Sequence, residues 1–248
     1  MLLQLVVIFT LLLIYDGSMT MVHAFIGTST STALNNCAQT HNRFHLSLAL
    51  ALGDYTVELQ KPLGIILQER DNGSGGVQVK ELVDGGAAAT YSDIVPCDVL
   101  LQVNDSDVST LDFDSVMHIL SLDKDKCRLT LGDGLGQLNM PKNVVKQLKT
   151  TEDAFFIDSV VRKAVREIRK RNNILGDLIS VEVIIGAGVQ EEGKQGQARF
   201  FAIFSTDGVS SYSCNVSATG RCRDDGSIDI VNLSAAKDEG LGQTYQFI

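Results

Sequence analysis

The apolar and polar positions of residues 54–132 alternate in short runs that predict strands. Five runs have the length and composition of a strand: YTVEL, GIILQE, VQVKELV, CDVLLQVND and KCRLTL. Turn-forming residues such as glycine, asparagine and aspartate separate them. In LDFDSVMHIL, by contrast, the apolar residues Phe113, Val116, Met117 and Leu120 recur at helical spacing on one face. Short strands with two helices predict a compact, partly open β-barrel.

Residues 150–248 follow a different order, in which one long helical pattern precedes five strand-like runs. The helical pattern begins at a capping residue, Thr151, and has acids in its first turn and bases at its end. Its apolar residues form one stripe: Ile157, Val160, Val161, Ala164, Val165 and Ile168. The strand-like runs are LISVEVII, ARFFAIF, YSCNVSA, SIDIVNLS and TYQFI. This order predicts a smaller α+β domain, one helix on an antiparallel sheet, joined to the first region by a linker over residues 133–149.

The remaining positions of the helical pattern, residues 152–171, carry a basic face. Its members are Arg162, Lys163, Arg166, Arg169, Lys170 and Arg171. Two interpretations stay open for such a face in an acidic protein. It is either a solvated surface that balances the acidic first region, or a contact for anionic lipid or a membrane complex.

Residues 1–53 stand apart from both predicted domains. Residues 1–24 open with an apolar run of the length of a signal-peptide core, shorter than the roughly 20 residues of a membrane helix. An uncleaved anchor is the alternative. Residues 25–53 are rich in Ser and Thr and contain no Asp or Glu, a composition typical of plastid transit peptides. A disordered secreted N-terminus is the alternative. The junction before Phe25 resembles the bipartite presequences of algae with complex plastids.

Composition and charge exclude several classes of protein. The chain has 248 residues, 44% of them hydrophobic, and a formal net charge of −9. A general nucleic-acid binder would need a positive surface, so this class is not expected. The five cysteines show no CxxC or Cys/His spacing, which predicts neither a metal site nor a disulfide scaffold. Cys214 and Cys222 flank an expected hairpin and either pair with each other or stay as thiols.

The sequence also lacks the patterns of common catalytic sites. Nucleophilic catalysis needs an activated Ser or Cys with a base in reach. Neither a G-x-S-x-G elbow nor an HExxH motif occurs, and His118 is the only histidine beyond the presumed presequence. We therefore predict a protein that is not an enzyme and needs no cofactor.

The motifs of residues 54–132 resemble, in order, those of a PDZ domain. They read PLGIIL, VQVKELVDGGAAA, CDVLLQVND, FDSVMHIL and RLTL. The family has a Gly-Leu-Gly-Phe-like loop before its second strand and a Gly-Asp pair before a later one. Here the loop is Pro62-Leu63-Gly64-Ile65, and Cys97 stands where the glycine of that pair is usual. The opening YTVELQKPLG is similar to PDZ domains of plastid proteins linked to photosystem assembly. The C-terminal region resembles no family.

The resemblance implies a site that captures protein C-termini by adding them to the sheet as an extra strand. The amides of Leu63, Gly64 and Ile65 would bind the terminal carboxylate, and the alternative role for the apolar side chains is core packing. The implied peptide-binding residues are Lys61, Leu63, Gly64, Ile65, Leu67, Phe113, Met117 and Leu120. A register shifted by one residue would put Asp112 first on the long helix; in the gapless match to the family, the first residue is Phe113. Because it has no hydrogen-bonding group, it would favour ligands apolar at the last residue and two positions before it.

These features together predict a non-catalytic adaptor of the plastid, reached through the secretory pathway. It would bind protein C-termini and serve the assembly or maintenance of a photosynthetic membrane complex. Two alternatives stay open. The chain is a ligand-carrying or regulatory subunit that acts through its C-terminal sheet, or it is a secreted PDZ interaction protein.

Overall fold

The structure, a computed structural model, describes residues 14–15, 18–19, 53–70, 75–91, 93–122, 125–190, 194–237 and 242–248. Its contacts divide the chain into two units, residues 1–35 and 36–248. In the first unit, strands β1 (Ile14–Tyr15) and β2 (Ser18–Met19) pair antiparallel. The signal peptide and the transit-like segment predicted over residues 1–53 otherwise lie outside the described residues and stay predictions.

An antiparallel sheet of six strands forms the first half of the larger unit. The strands are β3 (Tyr55–Gln60), β4 (Ile65–Glu69), β5 (Val77–Leu82), β6 (Val99–Val103), β7 (Ser106–Asp107) and β8 (Lys126–Gly132). Their order is β3-β8-β6-β5-β4, with β7 paired to β6. Helix α1 (Phe113–Leu122) and a 3-10 turn (Ala87–Thr90) complete it. The predicted strands and helices of this half are confirmed.

The helix of this half is held by its apolar stripe. Val116 and Leu120 are buried in the same hydrophobic cluster as Leu59, Val79 and Leu129 of the sheet. The spacing of four residues places both side chains on one helix face, as the sequence indicates. The helix is thereby fixed against the sheet, which positions its first turn beside β4.

A second antiparallel sheet follows, in the plain up-and-down order that the sequence indicates. Its strands are β9 (Asp177–Gln190), β10 (Gln195–Ser205), β11 (Ser211–Cys222), β12 (Ile228–Lys237) and β13 (Thr244–Gln246), ordered β13-β12-β11-β10-β9. The helices are α2 (Lys142–Val145), α3 (Thr151–Arg169) and α4 (Asn172–Leu175). The predicted second sheet-rich domain is confirmed. It is not the smaller one, because it contributes the larger of the two hydrophobic clusters.

Helix α3 begins one residue earlier than the sequence suggests. Thr150, not Thr151, is its cap: the Thr150 Oγ1 accepts a hydrogen bond from the Asp153 amide at 3.1 Å. The Asp153 carboxylate in turn accepts from the Thr150 amide at 3.2 Å. This reciprocal pair is a capping box, which satisfies two amides that the helix leaves without partners. No helix among the described residues is both long and apolar enough to cross a membrane.

The segment predicted as a linker, residues 133–149, is packed. Leu138, Val144 and Leu148 are buried in the cluster of the second sheet. The Ile184 amide of β9 donates to the Asn139 carbonyl at 2.9 Å. Glycine and proline do break regular elements here, but apolar residues between them fasten the segment to the sheet. It is therefore a structured connection rather than a free tether.

Cys214 and Cys222 lie on the same strand, β11, instead of on either side of a hairpin. Eight residues of extended strand separate their Cα atoms by about 26 Å. A disulfide needs Cα atoms within about 7 Å. The expected hairpin was wrong because the strand is longer than its apolar run, and the two residues do not bond to each other: Cys214 is a thiol and Cys222 is not.

Candidate functional site

An apolar groove of about 480 Å³ runs between β4 and α1. Its lining includes every predicted peptide-binding residue except Gly64: Lys61, Leu63, Ile65, Leu67, Phe113, Met117 and Leu120. The sequence missed six further lining residues: Pro62, Ile66, Leu100, Ser121, Leu129 and Leu131. The buried leucines come from β6 and β8. The structure thus brings the predicted side chains together, and their role in peptide binding stays a prediction.

Strand β4 is the last strand of its sheet, so one of its edges faces the groove without a neighbouring strand among the described residues. Such an edge presents a row of N–H and C=O groups that can accept another strand. The pairing of β4 with β5 shifts register between Ile66 and Leu67. The residue left out of the pairing is Lys80 of β5, so β4 itself contains no inserted residue. Ile66, which alternation places on the other face of β4, is 41% exposed and also lines the groove.

The loop before β4 aims two of its amides at this free edge. The Leu63 carbonyl accepts a hydrogen bond from the Ala88 amide at 2.9 Å, and the Gly64 carbonyl accepts from the Val83 amide at 2.9 Å. Because the C=O and N–H of a trans peptide point in opposite directions, the amides of Gly64 and Ile65 point away from the 83–88 turn. They point toward the unpaired edge of β4, as a carboxylate-binding loop requires.

Gly64 is required by this loop for two reasons. Its φ is +70°, a conformation that only glycine adopts without strain. A Cβ atom built on it would stand 2.6 Å from the Cα of Gly86. The close approach that requires a glycine here is therefore to the neighbouring turn of the same chain.

Lys61 connects the loop to the helix. Its ammonium donates a hydrogen bond to the Leu120 carbonyl of α1, and its backbone amide donates to the Asp125 carbonyl at 2.9 Å. A positive charge consequently lies at the closed end of the groove, where the loop amides also point. This end suits an anionic group.

Helix α1 starts at Phe113, whose half-buried ring lines the groove at its other end. Asp112 precedes the helix and accepts a hydrogen bond from the Ser115 amide at 2.8 Å, so it acts as the cap rather than as the first helical residue. Met117, one turn on, is 43% exposed within the groove. His118 is exposed and does not line the groove.

A buried charge cluster joins the first sheet to α3, far along the sequence. Asp98 is fully buried and its Oδ2 accepts hydrogen bonds from the Tyr55 hydroxyl at 2.6 Å and the Val95 amide at 3.0 Å. Arg166 and Arg169 of α3 bring nitrogens to 3.5 and 3.8 Å from its carboxylate. Burial raises the pKa of Asp98, and burial followed by the charge of Asp98 raises the pKa of Tyr55.

A second acid, Asp133, extends this cluster. Arg162 of α3 is 2.7 Å from its carboxylate, and Arg169 donates to its carbonyl at 2.8 Å. Arg162 also pairs with Asp158 at 2.7 Å, and these bonds raise the pKa of its guanidinium against the opposing effect of burial.

The basic face predicted over residues 152–171 is consequently not a free surface. Three of its members, Arg162, Arg166 and Arg169, are largely or fully buried against acids and carbonyls of the same chain. Both interpretations of that face were wrong for these three arginines. Their partners could not be predicted from local patterns, because Asp98 and Asp133 lie far from the arginines along the chain.

The described part of the chain contains no group of three or more His, Cys, Asp or Glu side chains arranged to hold a metal ion. The site is instead made of an apolar channel, an unpaired strand edge and oriented amides. These are the parts of a module that binds extended peptides by strand addition.

Residues 55–131 match the family model of the PDZ domain, and this part of the chain is a PDZ domain. PDZ domains are non-catalytic protein–protein interaction modules that bind C-terminal peptides. At Cys97, where the family motif has glycine, φ is +67°. The cysteine therefore keeps the left-handed conformation that glycine supplies there at lower cost.

The chain is similar over 58 residues to the segment polarity protein dishevelled homolog DVL-1 of Homo sapiens and of Mus musculus, with 36% identity in each case. This stretch is 23% of the present chain and 8% of those proteins. Among solved structures, the second PDZ domain of Dlg1 from Monosiga brevicollis is 16% identical, with a TM-score of 0.31. It covers 32% of this chain and 98% of that one. The third PDZ domain of INAD, in complex with a TRP channel tail, is 23% identical with a TM-score of 0.29. It covers 32% of this chain and 86% of that one.

Proposed function

We propose that this protein is a non-catalytic adaptor whose PDZ domain binds the C-termini of other proteins by β-strand addition. One observation carries the proposal: the free edge of β4 borders an apolar groove that ends at the outward-pointing amides of Gly64 and Ile65. An extended peptide would pair with β4 and place its terminal carboxylate at these amides, beside the charge of Lys61.

The lining of the groove supports a preference for apolar ligands. Leu63, Ile65, Leu67 and Leu120 surround the position of the last side chain, and burial of one aliphatic side chain there would contribute about 1.5–3 kcal/mol. Two positions earlier, the ligand side chain would meet Phe113, which offers no hydrogen bond to a hydroxyl. An apolar residue at both positions therefore fits best.

We further propose that the protein acts in a plastid reached through the secretory pathway, in the assembly or maintenance of a photosynthetic membrane complex. The support is the residue order of the N-terminus: an apolar run, then Phe25, then an acid-free segment rich in Ser and Thr. A fluorescent protein fused after residue 53 tests this directly. Fluorescence in the plastid is expected, and fluorescence in the medium would instead favour a secreted protein.

The peptide-binding proposal is tested with a labelled peptide library of free C-termini, added to the full chain. Peptides with an apolar last residue should bind, and a Met117→Glu variant should lose most of this binding because it places an acid in the groove. His118→Glu is the matched control, since His118 is the next residue of α1 and lies outside the groove. Equal losses in both variants would show that the groove is not the binding site.

A further inference from the structure

Acidic side chains surround the open end of the groove, opposite the loop. A second hollow of about 430 Å³ lies there, and it shares Phe113 with the groove. Its other lining residues are Gln68, Glu69, Asp112 and Asp114. Three carboxylates therefore follow directly on the apolar channel, on both of its walls.

Two of these acids also accept a hydrogen bond from an amide at the start of α1. Each uses only one oxygen for this, so part of each carboxylate stays available to a ligand. Glu69 accepts from the Phe113 amide at 3.4 Å through one oxygen, and Asp112 accepts from the Ser115 amide at 2.8 Å through one oxygen. A carboxylate has about four acceptor positions. Both side chains, and that of Asp114, are exposed. Hydrogen bonds to Ser115 hold the pKa of Asp112 below its usual value, so it is ionised at neutral pH.

Arg70, the cation that comes directly after β4, does not line the hollow. Arg70 follows Glu69 directly, but its side chain lies toward Gly76, where its Cδ is 3.8 Å from the position of a Cβ built on that glycine. The groove is thus polarised, with Lys61 at its closed end and three acids at its open end.

The geometry of strand addition relates this polarity to a position in the ligand. β4 has five residues, and a ligand antiparallel to it would align its last residue with Ile65. The residue four positions upstream then aligns with Glu69. Side chains two residues apart leave a strand on the same face, so this residue points to the same side as the last one and passes beyond Phe113 into the acidic hollow.

We propose that the groove selects C-termini that carry Lys or Arg four positions before an apolar last residue. This inference rests on the proposed peptide binding. Complementarity of charge argues for this occupant, because a peptide with a carboxylate at its end and a cation upstream matches both ends of the groove. Exposed ion pairs each contribute modestly and are weakened by salt.

The test uses three free-acid peptides identical except at that upstream position, which is Lys, Gln or Glu, titrated into the full chain. At low salt the Lys peptide should bind about fivefold more tightly than the Glu peptide, with the Gln peptide between them. The difference should shrink severalfold in about 0.5 M salt, where the screening length is only a few ångströms.

Two variants separate this inference from the peptide-binding proposal. A Glu69→Gln, Asp114→Asn double variant should lose most of the discrimination between the Lys peptide and the Glu peptide. Asp224→Asn, which removes an exposed acid of the second domain, should leave the discrimination unchanged. If all three peptides bind the native chain equally, the charge selection is wrong while the groove stands. If none of them binds, the peptide-binding proposal fails and this inference fails with it.

Discussion

Asp98, directly before β6, and Arg166 in α3 approach to 3.5 Å, although they are 68 positions apart in the sequence. Arg166 also lies over the Tyr55 ring, with its guanidinium carbon 4.4 Å from the ring centre, and donates to the Asp93 carbonyl. The tyrosine hydroxyl in turn donates to Asp98. One arginine of the second domain thus contributes to a buried polar site of the PDZ domain.

Replacement of Arg166 by Met should be costly. It keeps most of the length of the side chain but leaves Asp98 buried with only Arg169, at 3.8 Å, as a cationic partner. Removal of one partner of a buried ion pair typically costs about 3 kcal/mol. Arg128→Met is the matched control, because Arg128 pairs with Asp105 at the surface and its side chain is 49% exposed. Surface pairs contribute less than about 1 kcal/mol. Denaturant unfolding measures the free energy of unfolding of both variants. Equal losses of stability would contradict the role assigned to the buried pair.

The pH dependence of stability should have opposite signs at two aspartates. Burial raises the pKa of Asp98 in the folded chain. Its contribution to stability is therefore present below its unfolded pKa of about 3.9 and is lost as pH rises through the folded value. Hydrogen bonds from Ser109 lower the pKa of Asp107, whose contribution is lost as pH falls through the folded value.

The measurement compares unfolding free energies with those of Asp98→Asn and Asp107→Asn between pH 3 and 7. Relative to Asp98→Asn, the native chain should lose stability as pH rises. Relative to Asp107→Asn, the native chain should gain stability as pH rises. If the native chain instead gained stability relative to Asp98→Asn as pH rises, burial would not dominate the pKa of Asp98.

The fold was largely readable from the sequence, since alternation and helical spacing depend on neighbouring residues. Strands such as β3 and β8 lie where the pattern places them, and α1 begins at Phe113, as the family resemblance implies. The partners of the arginines were not readable. An apolar stripe identifies the buried face of a helix, but no local pattern reveals that Arg162 meets Asp133 across 29 residues.

The residues of the groove, too, could be predicted from the sequence only in part. Leu63, Ile65 and Leu67 followed from alternation, and the family resemblance supplied the helix residues. Ile66 did not follow, because alternation places it on the other face of β4, whereas the folded groove includes it. The reason for Gly64 also needed the structure, since Gly86 comes near it only in the folded chain.

Gly64→Ala should destabilise the protein by more than the strain of a positive φ alone would. Its Cβ would stand 2.6 Å from the Gly86 backbone, so the loop or the turn must move. Gly85→Ala is the control: φ is +77° there, with nothing within 4 Å of the added atom. The control should lose about 1 kcal/mol from backbone strain. Gly64→Ala should lose more than the control and also weaken peptide binding severalfold. Unfolding and titration of both variants measure this, and a Gly64 variant that loses no more than the control would contradict the packing argument.

Phe113→His should change the ligand preference two positions before the end. The aromatic ring offers no hydrogen bond, whereas an imidazole at the start of α1 can bind a Ser or Thr hydroxyl. In a competition between two peptides, one with Val and one with Thr at that position, the native chain should prefer Val and the variant Thr. His118→Phe, a change outside the groove, should leave the native preference intact. An unchanged preference in Phe113→His would show that the ligand does not reach Phe113.

The most direct test of C-terminal capture is an NMR titration that follows the amides of Gly64 and Ile65. A peptide with a free carboxylate and an apolar last residue should shift both amide resonances strongly. The same peptide with its C-terminus amidated should bind at least about tenfold more weakly, because it no longer offers an anion to the loop amides and Lys61. Equal affinity for the two peptides, with the Gly64 and Ile65 resonances unmoved, would contradict the account.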